Sequence, residues 1–192
     1  MSCLYYVVGP SGVGKDSLIS FARLWFEKAG RTLIYCHRYI TCEPGRPGED
    51  QIVLSEYEFS RREALGFFAL TWRSHGNAYG LGSEIRTWLR ARVPVIVNGS
   101  RGALPEADKV FGPALVPVLV EADPEVLLSR LEGRGRETGE ALRSRVRRGA
   151  DYGDIRHPRL RRIDNSGALE TAGLRLVEVL AETQPERPVH QV

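Results

Sequence analysis

Leu4-Tyr5-Tyr6-Val7-Val8-Gly9-Pro10-Ser11-Gly12-Val13-Gly14-Lys15-Asp16-Ser17 is the stretch on which the fold turns. Its first five residues are apolar and β-rich, its middle is broken by glycines and a proline, and a helical pattern then runs from Asp16 to about Lys28. Strand, glycine loop and helix are expected in that order. The loop follows Gly-x-x-x-x-Gly-Lys in the context that gives the pattern meaning, after a strand and at the head of a helix. Gly9, Gly12 and Gly14 let backbone N–H groups turn toward phosphate oxygens, with Pro10, Ser11 and Val13 between them, and the helix N-terminus adds positive potential. Lys15 is placed to reach the β and γ phosphates of ATP. The next position ordinarily holds Ser or Thr as a Mg²⁺ ligand, but here it is Asp16, followed by Ser17. A carboxylate beside a triphosphate is repelled unless a cation stands between them. Asp16 therefore reads either as a Mg²⁺ ligand, direct or through water, or as an outward residue favourable to the helix dipole.

Outward from this loop the chain alternates strand and helix. A second strand is expected over Thr32 to Cys36, and the breaker-rich segment 43–50 is expected to be an exposed loop. Ser55-Glu56-Tyr57-Glu58 has the form of a capping box before a short helix, Phe67 to Arg73 has strand composition, and Ser83 is expected to cap a helix to about Arg92. Val93-Pro94-Val95-Ile96-Val97 and Leu115-Val116-Pro117-Val118-Leu119-Val120 are continuous apolar runs of the kind buried on both faces of a parallel sheet. Asp123-Pro124 starts a further helix, and the last runs from about Ala168 to Glu182 before a loose tail, 184–192. The pattern is βαβ.

The whole chain has 192 residues, 42% hydrophobic and 27% charged, which is the profile of one folded domain and excludes disorder and fibrous folds. No apolar run reaches the length of a membrane span and no leader pattern opens the chain, so neither a membrane nor a secretory route is expected and the cytoplasm is. Cys3, Cys36 and Cys42 lack metal-ligand spacing, and the four histidines have no placed partner. No chemistry is assigned to either set. Of the 27 basic residues, 24 are Arg, a side chain whose planar fork grips phosphate bidentately, so their clusters matter more than the net charge of +3. The densest cluster is Arg130, Arg134, Arg136, Arg143, Arg145, Arg147 and Arg148. No aromatic-interleaved basic stripe accompanies it, so nucleic acid is not an expected partner.

Gly9 to Lys15, Arg38-Tyr39-Ile40-Thr41, Gly76-Asn77-Ala78-Tyr79-Gly80 and Arg130-Leu131-x-x-Arg134-Gly135-Arg136 stand in the order and spacing of guanylate-kinase-like enzymes, which the chain resembles along nearly its whole length. Gly14 to Ser17, Tyr39-Ile40-Thr41, Leu70-x-Trp72, Val97-Asn98-Gly99-Ser100-Arg101 and Arg134-Gly135-Arg136-Glu137 are most similar to the ribose 1,5-bisphosphate phosphokinases of phosphonate utilisation within that superfamily. The resemblance implies a three-layer α/β/α P-loop kinase with a parallel five-stranded core sheet, an acceptor-binding insertion at about 37–80 and an Arg-rich lid at about 133–148. It also implies a reaction in which ATP phosphorylates the 1-phosphate of ribose 1,5-bisphosphate to give 5-phosphoribosyl 1-diphosphate.

Guanylate kinases place a glutamate between the counterparts of Leu70 and Trp72 to read guanine, and this chain has Thr71, which cannot accept guanine's two donors as a carboxylate does. Their acidic residue after the fourth strand is replaced by Asn98, which can bond a sugar hydroxyl or a metal-bound water. Both families present an arginine after Ile-Thr for the acceptor phosphate; here Cys42 follows, leaving Arg38 or Arg46 to supply that charge. By the same resemblance Tyr79 holds an acceptor phosphate rather than serving as a core aromatic, and Asn165 contacts the adenine end unless it is only turn chemistry. Arg134 and Arg136 face the ATP phosphates, while Arg145 and Arg148 point at the transferred group and the acceptor. Such a lid answers a physical need, since two anions must be brought together with water excluded. A nucleoside-monophosphate kinase and a non-catalytic guanylate-kinase-like binding module are the alternatives; the sequence leaves oligomeric state open.

Overall fold

The computed structural model describes residues 3–42, 51–132 and 155–182. The expected loop at 43–50, the lid arginines Arg134, Arg136, Arg145 and Arg148, and the tail lie outside the described residues, as does Arg46.

The described chain runs β1 (Leu4–Val8), α1 (Lys15–Lys28), β2 (Ile34–Tyr35), β3 (Arg38–Thr41), β4 (Gln51–Leu54), α2 (Glu56–Ala64), β5 (Phe68–Ser74) and β6 (Asn77–Gly82). It continues through α3 (Glu84–Arg90), β7 (Val95–Asn98), α4 (Leu104–Phe111), β8 (Leu115–Glu121), α5 (Pro124–Glu132), β9 (Arg161–Asp164) and α6 (Leu169–Glu182). A five-stranded sheet in the order β2-β7-β1-β8-β9 has only parallel pairings, with Leu4 opposite both Val95 and Leu115. β1 is central because it is apolar on both faces. Tyr5 and Val7 pack under α1, α5 and α6, among Leu18, Phe26, Leu127 and Leu176, whereas Leu4, Tyr6 and Val8 pack toward α3 and α4, among Ile85, Ala107 and Phe111. This alternation produces the three layers α/β/α that the sequence predicts.

A second sheet has the order β4-β3-β6-β5. Its Ala69, Leu70 and Leu81 enter the same apolar cluster as Leu4, Tyr6 and Val97, so the two sheets share a core. β5 and β6 form a hairpin closed by His75 and Gly76, with φ of 50° and 78°, the positive pair that a two-residue turn of matching twist requires.

Several expectations change in detail. The second strand shrinks to Ile34–Tyr35 because it is an edge strand paired only with β7. Ser83 does not cap α3 with its side chain: its own backbone is already helical, at φ −66° and ψ −17°, whereas a capping residue is extended. Ser55 does cap α2, accepting from the Glu58 N–H at 3.1 Å, but the Glu58 carboxylate turns to Arg62 rather than back to Ser55, so only half of the box closes. Pro117 lies within β8 at no cost to β9, whose pairing begins one residue later at Val118. No described helix is long and apolar enough to cross a membrane.

Candidate functional site

The glycine loop lies at the C-terminal end of β1, where chain direction through the sheet switches from β2 and β7 on one side to β8 and β9 on the other. Open parallel sheets bind ligands at that place. Close packing beneath the loop explains two of its glycines. A Cβ on Gly9 would fall onto the Val120 carbonyl oxygen, and one on Gly14, whose φ is +94°, would stand 2.5 Å from the Asn165 amide nitrogen. Lys15 folds over the loop, its Nζ donating to the carbonyls of Gly9 at 2.8 Å and Pro10 at 3.0 Å. The ammonium is thereby held at the mouth of the loop.

Asp16 and Ser17 are exposed on the first turn of α1. Asn98, buried at the end of β7, donates from Nδ2 to Asp16 Oδ1 at 2.5 Å, while its Oδ1 is buried with no hydrogen-bond partner. An acceptor-only carboxylate pins the amide's donor toward it, which leaves the amide oxygen as a buried acceptor beside that carboxylate. Asp16, Ser17 and Asn98 together offer the hard oxygen donors that suit Mg²⁺.

The neighbouring turn is held by Tyr6, a residue whose place in an apolar run gives no sequence signal beyond core packing. Its hydroxyl accepts from the Ser100 N–H at 2.9 Å and donates to the Ser100 carbonyl at 3.2 Å, and a Cβ on Gly99 would collide with its ring. Burial pushes the phenol up to about 12, against the lowering effects of the Ser100 bond and the Arg38 charge.

Arg38 links this turn to the second sheet. Its guanidinium carbon lies 5.9 Å from the centroid of the Tyr79 ring, and Tyr79 stacks on Trp72 with centroids 5.3 Å apart and planes 6° from parallel. The Arg38 Nε–H is buried without a partner, an arrangement costly unless an acceptor meets it. Arg38, Tyr79 and Trp72 thus converge on one face of the second sheet. Thr71 alternates to the other face, where α2 lies: its hydroxyl and Arg73, the latter at 2.8 Å, hydrogen-bond Glu63 and hold that carboxyl below the ordinary range.

Asn165 is 2% exposed, and its Nδ2 donates to the Val13 carbonyl at 2.7 Å. The turn chemistry of its segment comes from Asp164 instead, whose carboxylate accepts from the Ser166 N–H and hydroxyl and is held below its ordinary range by them. Arg130 donates to the Asn165 carbonyl at 2.8 Å. Cys36 is chemically quiet, since burial pushes its thiol up to about 12.

No protein-family model matches the chain. It is 47% identical over 178 residues to the ribose 1,5-bisphosphate phosphokinase PhnN of Laribacter hongkongensis, an alignment covering 93% of this chain and 42% of that protein. The chain therefore spans less than half the length of that relative. It is 44% identical over 183 residues to the ribose 1,5-bisphosphate phosphokinase PhnN of Desulfomicrobium baculatum, with 95% and 96% of the two chains covered. For the protein of the same name from Thiobacillus denitrificans the figures are 44% over 187 residues, 96% and 95%. Among solved structures, guanylate kinase from Anaplasma phagocytophilum superposes with a TM-score of 0.66 at 15% identity, covering 96% of this chain and 87% of that one, which is a likeness of fold.

Proposed function

The chain belongs to the ribose 1,5-bisphosphate phosphokinase PhnN family, and on that footing we propose that it transfers the γ-phosphoryl group of ATP to the 1-phosphate of ribose 1,5-bisphosphate, giving 5-phosphoribosyl 1-diphosphate and ADP. The observation that carries this reading is the 44% identity over nearly the whole of both chains. The site supports it with a glycine loop and lysine for the donor phosphates and an arginine with an unmet N–H for the acceptor.

The acceptor is itself a phosphate, already largely ionised at neutral pH, so no protein base is required and the work is positioning and charge neutralisation. Lys15 exchanges its loop carbonyls for the donor's β and γ oxygens. Arg38, braced by Tyr79, takes an acceptor phosphate through the N–H that now lacks a partner, and the Tyr79 hydroxyl bonds the same group. Asp16 and Ser17 would hold Mg²⁺ beside the buried Oδ1 of Asn98. Bound there, the ion would supply neutralisation of phosphate charge. Arg134 and Arg136 are assigned to the ATP phosphates and Arg145 and Arg148 to the transferred group and the acceptor, where guanidinium charge lowers the repulsion between the two anions. Thr71 is engaged by Glu63, which fits an acceptor without a purine to read. The cytoplasm, where ATP is abundant, is the compartment this chemistry implies.

The test is ADP release from Mg²⁺-ATP with ribose 1,5-bisphosphate, GMP or no acceptor, beside Lys15→Ala. Turnover is expected only with the sugar bisphosphate and should fall by about 10²–10³-fold in the variant, the scale of losing one charge-stabilising donor. Turnover with GMP in place of the sugar would overturn the assignment of the acceptor.

A further inference from the structure

We infer that Asn165 is a positioning residue of the phosphate loop, setting the orientation of the Val13–Gly14 peptide through its side-chain amide. The inference rests on reading that loop as the cradle of the donor phosphates. A carbonyl oxygen can only accept, so the 2.7 Å contact fixes Nδ2 of Asn165 as the atom facing Val13. In a trans peptide the C=O and the following N–H point to opposite sides. Drawing the Val13 oxygen toward Asn165 therefore turns the Gly14 N–H to the other side of the loop, where a phosphate oxygen needs a donor.

The amide is itself rigidly placed. Its residue is 2% exposed, its backbone N–H donates to the Glu121 carbonyl at 2.8 Å, and its carbonyl accepts from Arg130 Nη1 at 2.8 Å. These bonds join the ends of β8 and β9 and the helix α5 to one peptide of the loop. Gly14 completes the fit, because any side chain there would stand 2.5 Å from the same amide nitrogen. Asn165 thus acts on the donor's phosphates through the loop, a role distinct from contact with adenine.

Two ligands separate these roles. Inorganic tripolyphosphate engages the loop but has no base, whereas ATP has both. Titration calorimetry with Asn165→Ala and Asn165→Asp, checked for native near-ultraviolet dichroism, should show both ligands weakened by the same factor, about tenfold for the alanine variant, the worth of one hydrogen bond. The KM for ATP should rise by a similar factor while that for the acceptor stays put. Weaker ATP binding with unchanged tripolyphosphate binding would overturn the inference in favour of adenine contact. Nuclear magnetic resonance of the unsubstituted protein gives a measurement that needs no variant. The Gly14 amide proton should move downfield on adding either ligand, with the Asn165 side-chain amide still hydrogen-bonded; an Asn165 amide that responds to ATP alone would sink the idea. Failure of the kinase reading itself would look different, with the unsubstituted protein binding neither ligand.

Discussion

At the residue scale the site is governed by side chains that hold other groups in place. Asn98 donates to Asp16 and keeps a buried oxygen in reserve, and the geometry makes the two act as one oxygen-rich unit at the head of α1. Removing the amide frees Asp16 to rotate into solvent. Asn98→Ala should raise the Mg²⁺ concentration for half-maximal ADP formation by roughly tenfold, the lower end of what loss of a group orienting a metal ligand costs. Calorimetric titration of Mg²⁺ into the ATP complex reads the same change without turnover, and an unaltered metal dependence would show that Asp16 needs no such support. Much of this residue-level arrangement is legible in the sequence, because Gly9 to Lys15 carries its own chemistry. Tyr6 is not, since an aromatic between Tyr5 and Val7 reads as core until its hydroxyl is seen closing the Ser100 turn.

At the scale of elements, the joint between α2 and β5 is electrostatic at its rim and aromatic beneath. Phe59 stacks on Phe68 at 4.6 Å, Phe68 fills the space that Gly80 leaves, and above them Glu63 binds Arg73 and Thr71. The Glu63 pKa is lowered from its ordinary 4.5, so its contribution is present above that value and is lost as the pH falls through the folded value. Glu63→Gln should therefore lose stability at neutral pH, by no more than about 1 kcal/mol for so exposed a pair, and should lose less than the native chain on acidification below pH 4.5. Thermal unfolding across that range checks it; parallel acid curves for the two proteins would refute it. This sheet was also the least legible part of the fold. β1, β7 and β8 announce themselves as apolar runs buried on both faces, but β3 and β6 are interrupted by Arg38, Thr41, Asn77 and two glycines. The turn between β5 and β6 uses His75 at positive φ in place of the Asn or Asp that marks such hairpins.

On the scale of the whole molecule, β1 and α6 close one layer over the same core, and a buried bond joins them. The Tyr5 hydroxyl donates to the Leu180 carbonyl at 3.0 Å. Leu180 lies near the described end of α6, and Tyr5 supplies its carbonyl with a buried donor. Tyr5→Phe keeps the ring in place among Leu18, Phe26 and Leu176 but removes that hydrogen bond, at a cost of about 0.5–1.5 kcal/mol. For a chain of this size the midpoint of thermal unfolding should fall by roughly 1–6 °C. ATP affinity at 25 °C should stay within about twofold, because the bond and the loop share no partner. Burial raises the folded Tyr5 pKa well above its ordinary 10.0. The folded state then retains a proton that the unfolded state has shed, and stability present below pH 10.0 is lost as the pH rises past it. Tyr5→Phe should flatten that alkaline decline by up to about 1.4 kcal/mol per pH unit, and a decline unchanged in the variant would assign it to other groups such as Tyr6, whose hydroxyl is raised in the same way.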